Sequence, residues 1–426
     1  MKRKKPVHYA WLVALTCFMI AGGGYGIVMN CRGIFFSQLS SELHASYNRI
    51  MLSITLYGVF AIATLPFVNR TVARCRSNIV YGVSAVIFAL TQAAYGIAHK
   101  LWHLYFISAV QGCAYAFLVP LSISLLINNW FVEKRGLVLG IVGASTGLFG
   151  AVMNYLCNII IETVSWRYAY FFMGAVLFVT TVPLCFLVLR LNPAEKGLKP
   201  YGAPEHGEAA EEPQETKTER VSGSVLRSGA FIFIILVSVI SGIVSGFNQF
   251  FKDFGIEKGL DPITAGNLTV ISMIGNTIAK IALGWINDHK GVFAAISVCM
   301  IGMMTGIALL FSGSYYVMMI GSFLSGLMLA FNVVLVPAWT VSTFGDRDYP
   351  AIYTVVSSVL CFFSTFAFFF YSVVKSIWNT NASIMTVSFV MVALGMVLVL
   401  LQRKAGKKYR DSVCRQTVKS PDLRTE

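Results

Sequence analysis

The chain has 426 residues, of which 56% are hydrophobic and only 12% charged, with a formal net charge of +14. Together with a mean hydropathy of +0.70, this composition excludes an average soluble globular protein and describes one immersed in a bilayer. A span needs roughly 20 mainly apolar residues. Twelve stretches qualify: 9–31, 48–69, 77–98, 102–129, 136–162, 168–189, 228–250, 264–287, 291–312, 315–342, 350–374 and 382–402. Their apolarity is continuous and not alternating, which excludes an outer-membrane barrel. The expected fold is an all-α membrane protein of two pseudo-symmetric six-helix bundles.

The start, "MKRKKPVHYAWLV", has a basic lead and an apolar run but no small-residue cleavage site, so it reads as a retained first helix. Within that helix "GGGYG" (Gly22 to Gly26) lies in an apolar segment and not after a strand, so it serves close packing or bending and not phosphate binding. No G-x-x-x-x-G-K-[ST] loop occurs, and direct use of ATP is not expected. Arg32, in "GIVMNCRGIFF", has three readings: a snorkelling outer arginine, a partner for Glu42, or a cavity-facing cation if the first helix continues through "GIFFSQL". Arg70, Arg74 and Arg76 after the second span read as positive-inside anchors.

The fourth and tenth spans carry Val119-Pro120 and Val336-Pro337, 217 positions apart, a faint internal repeat. Between the sixth and seventh spans, Leu191 to Ser224 is rich in Pro, Gly and Glu without apolar period and reads as a disordered linker. The expected organisation is a bundle at 1–190, a linker at 191–227, a bundle at 228–402 and a tail at 403–426. If the N-terminus is cytoplasmic, that side carries 25 Lys and Arg and the other side 6, which places both termini and the linker in the cytoplasm. The basic balance is therefore a topology signal, and no nucleic-acid partner is expected. The nine cysteines show no C-x-x-C pair and read as packing residues, with neither a disulfide framework nor a metal site.

In the eighth span, "GNTIAKIALGWINDHKG" places Lys280 about 10 Å by helical rise from the cytoplasmic end. Snorkelling is one reading. The other starts from the cost of an intramembrane charge, at least ~2.5 to 3.5 kcal/mol, which favours an aqueous cavity and a place on the substrate path. Polar or amphipathic residues in other spans suit a small polar anion: Tyr25, Asn30, Tyr57, Gln111, Tyr115, Asn154, Tyr155, Asn332 and Trp339. Each has helix packing as its alternative. No Asp, Glu or His lies deep in a span; Glu162, Asp253, His103 and His289 fall near boundaries, so a carboxylate proton relay has no obvious carrier.

Three segments resemble one family. "NNWFVEKRGLVLGI" (Asn128 to Ile141), which contains Arg135, looks like the N-W-F-x-x-x-R-G-x-x-x-G segment of the major facilitator superfamily branch that holds the oxalate:formate antiporters and monocarboxylate porters. "SWRYAYFFMG" and "NPAEKGLKPYG" are similar to the same branch. The superfamily's loop after the second span is degraded: "NRTVARCRSN" has Asn69 and Ala73 where Gly and Asp are expected and keeps basic residues such as Arg74. Its second-half counterpart, "GWINDHKG", keeps Gly284, Asp288 and Gly291 with His289 for Arg. The resemblance implies a gating role for Arg74, Arg135, Gly284 and Asp288.

It also places Lys280 on the position of an arginine that binds substrate carboxylate in oxalate:formate antiporters. A lysine there is a compact point charge in place of a two-pronged clamp, so looser geometric selectivity is expected. The second cation those antiporters carry in the eleventh span has no counterpart in Ala351 to Tyr371, where no residue is charged. Proton-linked monocarboxylate transporters pair an acid with the arginine one turn later, and here that pair is Asn276 and Lys280.

The expectation is a non-enzymatic secondary transporter of a small organic anion, a carboxylate, working by alternating access and exchange, without cofactor or metal, as a monomer in a bacterial inner membrane. The alternatives are a proton-coupled monocarboxylate symporter, an exporter of amphipathic compounds and a transporter-like sensor.

Overall fold

The computed structural model describes residues 8–119, 122–203, 228–345 and 349–419. Twelve helices in it are long and apolar enough to cross a membrane: α1 Ala10–Glu42, α2 Tyr47–Val68, α3 Ser77–Ile97, α4 Leu101–Trp130, α5 Arg135–Thr163, α6 Trp166–Leu187, α7 Gly229–Glu257, α8 Pro262–Lys290, α9 Val292–Leu310, α10 Tyr315–Phe344, α11 Ala351–Trp378 and α12 Ala382–Lys408. All twelve overlap the expected stretches. Among the described residues no strand forms, and one isolated bridge joins Phe131 to Tyr201.

The first helix does continue through "GIFFSQL", but with changed winding. It is α-helical over Ala10–Ala21, π-helical over Gly22–Met29 and 3-10 over Arg32–Phe35, then α again over Phe36–Glu42. The glycine run fits its packing reading: side chains added at Gly22 and Gly26 would meet the Phe149 ring and the Thr146 carbonyl of α5. A matching break interrupts α7, where Phe247–Phe250 winds as 3-10 before Phe251–Glu257. In α10 a π segment, Phe331–Leu335, precedes Val336-Pro337, and the proline takes the first turn of the next helix, where its missing N–H costs nothing. Its first-half counterpart Pro120 lies outside the described residues; helix Leu101–Leu118 ends just before it.

Two boundary expectations change. The linker is not loose from its start: Pro193–Lys196 forms a 3-10 turn with an Asn192/Glu195 capping box, and Tyr201 docks on the bundle. The Tyr201 N–H donates to the Trp130 carbonyl at 2.9 Å, and the Trp130 indole donates to the Arg190 carbonyl at 2.8 Å. Two of the family-like segments, around Trp130 and around Pro193, thus pack against each other. The third ties the opposite end of the same bundle together, with Arg167 donating 2.6 Å to Glu42 and 2.8 Å to the Gly96 carbonyl. That pair also removes Glu42 as a partner for Arg32. The disorder expected over the rest of the linker, 204–227, falls outside the described residues. The tail expected from 403 is helical as far as Lys419, in one helix from Ala382.

Candidate transport site

The two halves meet along α5 and α8 and along α2 and α11, where small residues admit close approach. A Cβ at Gly147 would collide with Thr277 and one at Gly58 with Thr365, so glycine is required at both crossings. Between the halves lies a cavity of about 440 Å3, reaching from mid-bundle toward the end that holds the termini. Its wall includes Tyr25 of α1, Gly143 and Thr146 of α5, Asn276 and Lys280 of α8, Asn332 of α10 and Ser364 of α11. A second cavity of about 190 Å3 continues deeper, lined by Asn30, Tyr57, Tyr115, Ser245 and Phe368. Tyr25, Leu329, Leu360 and Ser364 border both. Lys280 is the one charged side chain among the described residues lining the pair.

Lys280 does not snorkel to the bundle end. Its Nζ crosses to the other half, donating 2.7 Å to the Gly143 carbonyl and 2.8 Å to Thr146 Oγ1. Thr146 is the hub of a longer row: its carbonyl accepts from Asn30 Nδ2 at 3.0 Å, and the Asn30 carbonyl accepts from Asn154 Nδ2 at 3.2 Å. Among the described residues no carboxylate pairs with Lys280. Its partners are dipoles that hold an ammonium without cancelling its charge, so an anion entering the cavity meets a net positive site. Asn276, one turn before, is buried, and its Oδ1 has no hydrogen-bond partner; the same is true of Asn332 Oδ1. Both amides stand in the cavity wall.

The remaining candidates divide. Tyr25, Asn30, Tyr57, Tyr115 and Asn332 line one cavity or both. Arg32 lines neither; it is buried inside the N-terminal half, with Nη2 3.3 Å from Gln111 Oε1 and its guanidinium 4.1 Å from the centre of the Tyr57 ring. It therefore does not face Lys280 across the cavity. Gln111 and Asn154 are buried within the packing, Trp339 donates to Gln402 at 2.9 Å between α10 and α12, and Tyr155 is exposed on α5 away from both cavities. Of the gating set, Arg74 and Asp288 are exposed, Arg135 donates to the Phe131 carbonyl, and Gly284 has open space around it. Among the described residues no hydrogen bond or ion pair joins any two of these four, in keeping with halves that part at this end.

At the opposite end the halves are clamped. Lys252 of α7, fully buried, donates 2.7 Å to Glu162 and 2.7 Å to Asn158, both on α5. Beside it the Tyr47 hydroxyl donates to Asp253, which also has Lys375 at 3.7 Å, and the Lys375 ammonium stands 3.9 Å from the Tyr47 ring centre. The Gly33 N–H donates 2.8 Å to Gln249 across the same seam. Sequence reading put these charges near span boundaries but missed that they join the halves. Thr146 was missed as well, and no spacing marks a helical threonine as a lysine's partner.

Two six-helix halves around a central cavity, open at one end and clamped at the other, are the architecture of secondary transporters built from repeats. The Major Facilitator Superfamily profile matches residues 12–266 and 251–419, and the chain belongs to that superfamily. Monocarboxylate transporter 11 of Mus musculus is 21% identical over 309 residues, 72% of this chain and 65% of that protein. The multidrug export protein EmrB of Haemophilus influenzae is 27% identical over 174 residues, 40% of this chain and 34% of EmrB. Among solved structures, a bacterial homolog to the human lysosomal transporter Spinster, inward-facing and unoccupied, superposes with a TM-score of 0.70 at 12% identity, covering 95% of this chain and 98% of that one. The nucleoside transporter NupG gives 0.69 at 12% identity, covering 92% and 99%. At such identities these two likenesses establish the fold alone.

Proposed function

We propose that this transporter carries a small organic anion, a carboxylate, between the two halves by alternating access, with Lys280 as the binding charge. The observation that carries the reading is Lys280 itself, the single charge among the described lining residues, held by Gly143 and Thr146 of the opposite half. A carboxylate there has an ammonium to meet, with Tyr25, Ser364 and the amides of Asn276 and Asn332 as further polar contacts. Similarity to monocarboxylate transporter 11 supports the same substrate class. The positive-inside count supports cytoplasmic termini, so that the open end faces the cytoplasm and the clamped end the outside. A reporter fused near Glu211 should then read cytoplasmic; an external signal there contradicts the orientation.

Exchange is the favoured mode. A loaded carrier moves with its charge balanced, whereas an unloaded one must turn over a buried ammonium without a counter-ion and break its two bonds to α5. The effective penalty for an uncompensated buried ion is several kcal/mol, so the unloaded return is the slow step. Labelled uptake into proteoliposomes preloaded with the same anion should outrun uptake into unloaded ones, and a pH jump should add little beyond the substrate's own protonation. Strong pH-driven accumulation into unloaded vesicles favours a proton symporter instead.

A further inference from the structure

The buried arginine that does not serve the transport cavity has surroundings of its own. Arg32 is 9% exposed, and no carboxylate contacts it among the described residues. A guanidinium has five N–H donors, and the one hydrogen bond it makes here is to Gln111 Oε1, at 3.3 Å. Gln111 in turn donates 2.8 Å to Gln92 Oε1, and Gln92 Nε2 is left with the Met173 thioether at 3.6 Å, a weak acceptor. Both amide oxygens of the row are used, and it ends on N–H groups.

Beside this row is a pocket of about 30 Å3 whose polar lining is Arg32, Ser53, Gln92, Tyr95 and Tyr170. The pocket thus combines one fixed positive charge with amide and hydroxyl groups, and its described lining includes no carboxylate. The other contact to the guanidinium, the Tyr57 face, is neutral and does not replace a counter-ion. By volume the pocket has room for roughly two water molecules, enough for a halide but not for an organic acid of several carbons.

We propose that this pocket binds one small inorganic monoanion of the chloride class, held by Arg32 and the Gln92 amide, separately from whatever Lys280 carries. The ion neutralises the N-terminal half's buried cation, so its effect appears as anion-dependent stability of the protein and not as a change of transported substrate.

The test uses purified full-length protein in nanodiscs, titrated with chloride against gluconate at fixed pH and ionic strength, with the unfolding midpoint followed by tryptophan fluorescence. The midpoint should rise saturably with chloride and with bromide. Arg32→Gln should raise the half-effect concentration at least tenfold. Gln111→Glu, nearly isosteric and already beside the guanidinium, installs an internal counter-charge; it should abolish the chloride response while the protein stays folded, which keeps the test decisive if Arg32→Gln does not fold. Lys280→Gln should leave the response intact. Equal midpoints in chloride and gluconate for the wild type overturn the proposal. So does a chloride response that survives in Gln111→Glu or disappears in Lys280→Gln.

Discussion

Replacing Lys280 with glutamine is expected to weaken substrate binding by about 2 to 5 kcal/mol, which is roughly 30-fold to several thousand-fold in affinity. The size follows from the setting: a charge in the wall of a cavity between packed helices, facing partners that are all neutral. Lys280→Arg keeps the charge and should keep part of the activity, because a planar fork does not reproduce the ammonium's reach to Gly143 and Thr146. Thr146→Val removes one neutral contact and should cost only about 1 kcal/mol. Saturable uptake in proteoliposomes, normalised to inserted protein, ranks the three. Undiminished transport by Lys280→Gln makes the lysine structural.

The second large effect is expected at the clamped end. Breaking a buried ion pair by removing one partner costs about 3 to 5 kcal/mol, and Lys252→Met leaves the Glu162 carboxylate with the neutral Gln38 amide at 3.2 Å and no counter-charge. Glu162 has a side-chain exposure of 21%, so the lower end of that range applies. A bias of about 3 kcal/mol changes the ratio of the two conformations by roughly a hundredfold. Spin labels at exposed Ser41 and Lys258, on opposite halves, should report a distance distribution shifted outward in Lys252→Met. The double variant Lys252→Met with Glu162→Gln should shift less, since no charge is then stranded. An unchanged distribution in the single variant means that Lys252 does not hold this end closed.

Much of the fold was legible because the signals are local. Twelve apolar runs of bilayer length give twelve helices whatever the tertiary detail, and the two Val-Pro pairs mark corresponding spans of the two halves. Lys280 was legible for a similar reason: a charge in an apolar helix demands a partner or a cavity. What the sequence did not disclose is which way helices face. Arg32 reads as a cavity cation as readily as a core one, and only the winding change over Gly22–Phe35 turns it into the N-terminal half. Tyr155 and Trp339 failed as cavity residues for the same rotational reason. The clamp was hidden by distance along the chain: Tyr47, Glu162, Asp253 and Lys375 each look like an ordinary boundary residue. Their roles come from a seam that joins positions far apart in the chain, Lys252 with Glu162 at a separation of 90 residues and Tyr47 with Asp253 at 206.

The most direct test of the central claim is an uptake screen with wild-type protein in proteoliposomes, using labelled mono- and dicarboxylates beside labelled lipophilic cations. The reading developed from Lys280 predicts saturable uptake of at least one small monocarboxylate, accelerated by the same acid inside the vesicle, and none of the cations. Transport of the cations without any carboxylate contradicts it in favour of an amphipathic exporter, and stabilisation by a carboxylate that never crosses the membrane contradicts it in favour of a sensor.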